Sequence, residues 1–155
     1  MITPSLKLLA SLRLGEGGPE LTAYADPNTH GKPYTIGYGH AVGVEPGQRC
    51  TFAQAEQWLA EDAQTAINGL VAHLDWTPHL SPPRFDVFAE MCFNLGVNRF
   101  LNFTQTIASA QAGNYELCAH DMLWNAPGVM TQWYKDIHTR AARLSTQMAT
   151  GVYQV

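Results

Sequence analysis

The stretch from Thr51 to Leu74 limits the possible folds more than any other part of the chain. Thr51 and Gln54 have the spacing of a capping box at a helix start. Ala55, Trp58, Leu59, Ala63, Ala66, Ile67, Leu70, Val71 and Leu74 then recur on one face of a helix. At roughly 3.6 residues per turn the stripe predicts a helix of about six turns. That is long enough to join two lobes.

The elements around it fall into two kinds. Before it, Tyr24, Tyr34, Thr35, Ile36 and Tyr38 are strand formers, and Asp26-Pro27-Asn28 and His30-Gly31 are turn formers. Residues 22–43 therefore predict a small antiparallel sheet of two or three short strands. A first helix is expected from Thr3, with Pro4 in its first turn, to Gly15. Glu16 then lies at its C-terminal end. After the long helix the chain reads as helical: one helix from Ser81-Pro82-Pro83 to Gly96, one or two from Asn98 to Ala112, and one from Asn114 to Trp124. A loop at Pro127-Gly128 follows, then a last helix from Asp136 to Thr150 stopped by Gly151. The expected fold class is α+β, mainly helical, with two lobes. A sheet lobe covers about 16–50, a linking helix about 51–74, and a helical lobe about 80–155 with the N-terminal helix 3–15. A cleft between such lobes is a natural ligand site.

Composition narrows the function classes. Of 155 residues, 46% are hydrophobic and 14% charged, enough for a packed core and too little charge for a disordered chain. The formal net charge is −4 and no basic run occurs, which argues against nucleic acid as a partner. Lys7 and Arg13 interrupt the apolar start, so it does not read as a signal peptide. No run of 18 apolar residues suggests a membrane span or a stable membrane association. Cys50, Cys92 and Cys118 are widely spaced with no CxxC pair, and read as reduced thiols. The six histidines lack paired-ligand spacing, so neither metal nor cofactor is expected.

Chemistry concentrates in Glu16, Asp26 and the run Thr35-Ile36-Gly37-Tyr38-Gly39-His40. Glycoside hydrolysis needs an acid to protonate the leaving oxygen and a second carboxylate to hold water or steady the sugar cation. Glu16, at a helix C-terminus, faces the negative end of the helix dipole, which disfavours its charged form. Asp26 sits in a polar turn where ionisation is easy. Two carboxylates pushed apart in this way suit acid/base work. The Thr35 hydroxyl can orient a water. An Asp-Pro turn is also common on its own, so from the residues alone catalysis and a structural role both stay open.

The segment resembles the signature of the phage T4-type lysozymes, a glycoside hydrolase family of muramidases and endolysins. That signature runs Glu, then Asp, then Thr within Thr-Ile-Gly-x-Gly-His. Phe93-Asn94-Leu95-Gly96, Asn102-Phe103-Thr104-Gln105-Thr106, Trp133-Tyr134 and Thr139-Arg140-Ala141-Ala142-Arg143 with Thr150-Gly151 extend the likeness from about residue 9 to 151. The turns on both sides of Asp26 are longer than is common in the family, the second filled by Thr29, His30 and Lys32. The resemblance implies a lysozyme-like fold and Glu16 as general acid, with Asp26 and Thr35 holding the water. It also implies Phe93, Thr106 and Asp121 along the saccharide cleft and Arg140 near the acid. The implied reaction is hydrolysis of the β-1,4 bond between N-acetylmuramic acid and N-acetylglucosamine, with inversion, for host cell lysis. The implied partner is peptidoglycan. The protein is expected to be a monomer held in the host cytoplasm until a holin or similar releases it to the periplasm.

Other signals take structural readings. His40 is expected to hydrogen-bond an acid on the long helix such as Asp62. Gly37 and Gly39 serve backbone geometry or close approach. Glu90 and Glu116 are expected to be solvated helix residues. Two alternatives compete with hydrolysis. A lytic transglycosylase also needs one Glu but no water-holding pair, and a catalytically silent wall-binding module needs none of the three residues.

Overall fold

The computed structural model describes residues 1–25 and 33–154. It is mainly helical with short antiparallel strand pairs, the α+β class expected. The chain divides into two compact units, Met1–Thr65 and Ala66–Val155.

The first unit opens with α1 (Leu6–Glu16). The helix starts later than Thr3-Pro4 suggested because Ser5 is the cap: its hydroxyl accepts from the Leu8 N–H at 2.9 Å. Leu8 and Leu12 are its buried apolar residues, and Gly17 at φ 76° ends it directly after Glu16. Strands β1 (Glu20–Ala25) and β2 (Tyr34–Gly37) pair antiparallel, with Tyr24 opposite Thr35 and Glu20 opposite Gly37. On its other side β1 bonds the segment before the long helix, through Ala23 N–H to Gln48 O and Cys50 N–H to Leu21 O. Helix α2 (Phe52–His73) matches the stripe that predicted it. The Thr51 hydroxyl accepts from the Gln54 N–H at 3.1 Å, the expected half of the capping box. Ala55, Leu59 and Ala63 are its buried residues in this unit, alongside Ile36 and Tyr38.

The second unit takes the rest of α2, whose Ala66, Ile67 and Leu70 are buried. It continues with α3 (Pro82–Leu95), α4 (Val97–Phe100), α5 (Thr104–Gln111) and α6 (Tyr115–Leu123). Asn114 caps α6 through the Leu117 N–H. The stretch 98–112 is thus two helices. Pro127-Gly128 is not a plain loop but the turn of a hairpin, β3 (Trp124–Ala126) and β4 (Val129–Met130). The last helix, α7 (Gln132–Thr150), begins four residues before Asp136 because Thr131 caps it, accepting from the Tyr134 N–H. A kink at His138 (φ 23°, ψ −90°) interrupts it. Gly151, left-handed at φ 69°, stops it as expected, and Arg84 donates to the carbonyls of Met148 and Ala149 at that end. Phe88, Phe100, Met91, Met122, Leu144 and Met148 fill this unit's core. Among the described residues no helix is long and apolar enough to cross a membrane.

Candidate active site

Glu16 is the last residue of α1, and its side chain is exposed. Its carboxylate lies against the backbone of the Thr35–His40 motif. A methyl group built on Gly39 would stand 3.4 Å from Glu16 Oε2. Gly39 also has φ 83°, a conformation that costs a residue with a side chain. The motif folds back on itself: Ile36 and His40 exchange both backbone hydrogen bonds at 2.9 Å, closing a turn over residues 37–39. Gly37 serves a different need. A Cβ there would meet Ala55 at 3.2 Å, so its bare backbone lets β2 pack closely on α2.

Side chains from α2 hold this turn. His40 Nδ1 lies 2.8 Å from Asp62 Oδ2, the partner expected for it. Its ring stacks on Trp58, 4.6 Å between centroids and 6° from parallel. Tyr38 donates its hydroxyl to Glu56 Oε1 at 2.8 Å. Arg13, in the last turn of α1, donates to both Glu56 oxygens through Nε, at 3.1 and 3.0 Å, and through Nη2 at 2.6 Å. The Arg13 hydrogen bonds hold the Glu56 carboxyl below its ordinary value against an opposing effect of burial, and the same pair raises Arg13. Desolvation first, then the bond to Glu56, pushes the Tyr38 phenol up. This network, which the sequence reading missed, carried one legible signal: a charged residue one turn before Glu16.

Thr35 sits in β2, 7% exposed. Its Oγ1 is buried with no hydrogen-bond partner among the described residues. A buried hydroxyl without a partner is costly, and such sites are often ones a water completes. Asp26, with Thr29, His30 and Lys32, lies outside the described residues.

The remaining candidates belong to the second unit. Thr106 on α5 and Asp121 on α6 line one open pocket of about 350 Å³, together with Arg99, Gln105, Trp124 and Trp133. Asp121 is fixed there by Ser109 Oγ at 3.1 Å and lies 3.3 Å from His120 Nδ1. Phe93 is half-buried on α3 and is not among the pocket's lining residues. Arg140 on α7 donates Nε to Glu90 Oε1 at 3.0 Å. Arg143 approaches the same oxygen at 3.7 Å. The Asn94 amide, in its satisfied orientation, accepts from Arg140 Nη2 and donates to the Glu90 carbonyl. Glu90 is therefore a buried ion-pair partner, 1% exposed, and not the solvated residue expected. Helical spacing alone could not show this, because Glu90 lies among apolar neighbours that all turn inward. Cys50, Cys92 and Cys118 are all unbridged thiols. Among the described residues no cluster of His, Cys, Asp and Glu has the makings of a metal site.

Comparison with known proteins adds a family. The model of the phage lysozyme family matches residues 15–142. An endolysin of Bacillus phage PZA is 32% identical over 113 residues, covering 72% of this chain and 42% of that protein. An endolysin of Bacillus phage B103 is 31% identical over 99 residues, covering 63% and 36%. The matched region thus spans less than half the length of these relatives.

Proposed function

The chain belongs to the phage lysozyme family, and we propose that it is a peptidoglycan hydrolase with Glu16 as its general acid. The observation that carries this reading is the Glu16 carboxylate set against Gly39, inside the Thr35–His40 turn. An exposed acid held at fixed backbone can meet a glycosidic oxygen from solvent. The printed names of the two relatives, both endolysins, point the same way.

In the proposed reaction Glu16 protonates the oxygen of the β-1,4 bond between N-acetylmuramic acid and N-acetylglucosamine. Asp26 and the Thr35 hydroxyl hold the attacking water on the opposite face of the sugar. The water attacks from the face opposite the departing oxygen while Asp26 takes up its proton, which inverts the anomeric carbon and requires carboxyl groups roughly 6.5–9.5 Å apart. The Thr35 hydroxyl, buried and bonded by no described residue, supports the water-holding role. Phe93, Thr106 and Asp121 bind the saccharide, with Arg140 and His40 in support. The protein works as a monomer on the host wall, stored in the cytoplasm and admitted to the periplasm by a holin or similar.

The test is a digest of purified peptidoglycan, read by mass spectrometry and by NMR of fresh product. The expected product has a free reducing end, formed first as the α-anomer, and the Glu16→Gln variant should yield none. An anhydro sugar would identify a lytic transglycosylase instead. A first-formed β-anomer would remove inversion and leave hydrolysis standing.

A further inference from the structure

One carboxylate on α2 gathers three donors, two from α1 and one from the turn after β2. Glu56 takes the Arg13 guanidinium on both oxygens and the Tyr38 hydroxyl on Oε1. Each partner is linked to the proposed acid by a different stretch of chain. Arg13 stands one helical turn before Glu16 on α1. Tyr38 immediately precedes Gly39, whose backbone backs the Glu16 carboxylate. The helix end bearing the acid and the backbone against which it rests are therefore referenced to one group on one long helix.

The pair's exposure argues against stability as its main consequence. The Arg13 and Glu56 side chains are 40% and 25% exposed, and ion pairs so open to water add little to folding. Its geometry is more specific than its energy. A fork of guanidinium N–H groups on a carboxylate fixes both planes, which a lysine cannot do. The far end of the turn is pinned separately, by His40 on Asp62 and Trp58. Without Glu56 the turn keeps that anchor, while the C-terminal turn of α1 loses its forked tie to α2.

We propose that Glu56 is a positioning residue for catalysis, clamping Arg13 and Tyr38 so that the Glu16 carboxyl is held at a fixed distance from the Gly39 backbone. The proposal rests on the reading of Glu16 as the acid. Glu56 touches no substrate. Its effect is on kcat, because misplacing an acid by a fraction of an ångström weakens proton transfer without changing how the glycan binds.

The experiment measures kcat, KM and melting temperature on soluble peptidoglycan fragments for wild type, Glu16→Gln, Glu56→Gln, Arg13→Lys, Arg13→Glu, Glu56→Arg and the double charge swap. Gln57→Ala, on an exposed position of the same helix, is the control. Glu56→Gln and Arg13→Lys should each lower kcat on the order of tenfold with KM and melting temperature near wild type. The swap should regain most of what the two single reversals lose. If Glu56→Gln does not fold, Arg13→Lys, which keeps the charge and loses only the fork, decides alone. Wild-type kcat in Arg13→Lys and Glu56→Gln, with Glu16→Gln inactive, overturns the clamp and leaves the acid assignment intact. A kcat loss that merely follows melting temperature, with no recovery in the swap, also overturns it. An active Glu16→Gln removes the underlying reading and the clamp together.

Discussion

His40 Nδ1 stands 2.8 Å from Asp62 Oδ2 while its ring lies flat on Trp58. The histidine that closes the motif is thus held by an acid and an indole one helical turn apart on α2. The hydrogen bond and the stack each contribute about 1 kcal/mol in settings of this kind. His40→Ala should therefore lower stability by about 2 kcal/mol, read from urea unfolding. Asp62→Asn keeps an acceptor and the stack, and should cost less than half of that. Equal losses in the two variants would show that the stack contributes nothing.

Glu90 should prove the more sensitive charge. Its side chain is 1% exposed and faces Arg140 at 3.0 Å and Arg143 at 3.7 Å. Removing one member of a buried ion pair strands the others in a low-dielectric core, which costs about 3–5 kcal/mol. Glu90→Ala should lose that much in chemical denaturation. Glu90→Met, which fills the same space, should be no better while both arginines remain. A loss under 1 kcal/mol would mean that water reaches the cluster.

The contrast between these two residues shows where the sequence was legible. His40 was readable because a motif fixes its neighbours and the long helix offers an acid at the right spacing. Glu90 was not, since polarity on a helix predicts solvent unless the whole turn is known to be buried. The stripe from Ala55 to Leu74 defined α2 almost to the residue. Helix starts were harder: Ser5 and Thr131 outcompete nearby candidates as caps, which only their hydrogen bonds reveal. The hairpin around Pro127-Gly128 escaped notice because its strands are too short to show alternation. Of the site, Glu16 and the motif could be read locally. The Arg13–Glu56–Tyr38 network could not, because it joins three elements distant in sequence.

The thiols should separate by reactivity. Burial pushes Cys92 and Cys118 up to about 12, so almost no thiolate exists near neutrality. Cys50 is also raised by burial but is only half-buried. A disulfide reagent at pH 8 should modify Cys50 first, and the other two only after denaturant is added. Mass spectrometry of the labelled peptides reads the order. Rapid labelling of Cys92 in the native protein would contradict the packing around α3.

Whatever small stability the Arg13–Glu56 pair adds should be lost in acid. Its carboxyl is held below the ordinary carboxylate value by Arg13, and also by Tyr38. A carboxylate with a depressed folded value stabilises the fold fully above the unfolded value of about 4.3. That stabilisation is lost as pH falls through the lower folded value. Melting temperature should fall below about pH 4.3, and the fall should be shallower in Glu56→Gln, which has no proton to take up. Parallel curves for the two proteins would show that other carboxylates govern acid unfolding.

Thr35 offers the sharpest separation of fold from chemistry. Its hydroxyl is buried, and no described residue bonds it. Thr35→Val keeps the branched shape that β2 favours and removes only the polar atom. Deleting a buried unsatisfied group is neutral or stabilising, by up to about 1–3 kcal/mol. If Thr35 holds the attacking water, the same change should cost activity on the order of a hundredfold. Thr35→Ser keeps the hydroxyl on a freer rotor and should retain much of the rate while losing some stability. The two variants therefore move stability and turnover in opposite directions. Unfolding curves and initial rates on peptidoglycan fragments, taken from the same preparations, test both halves. A Thr35→Val protein that is both stable and fully active would show that the hydroxyl holds no reacting water. One that is inactive and strongly destabilised would show that the hydroxyl is already bonded in the folded protein.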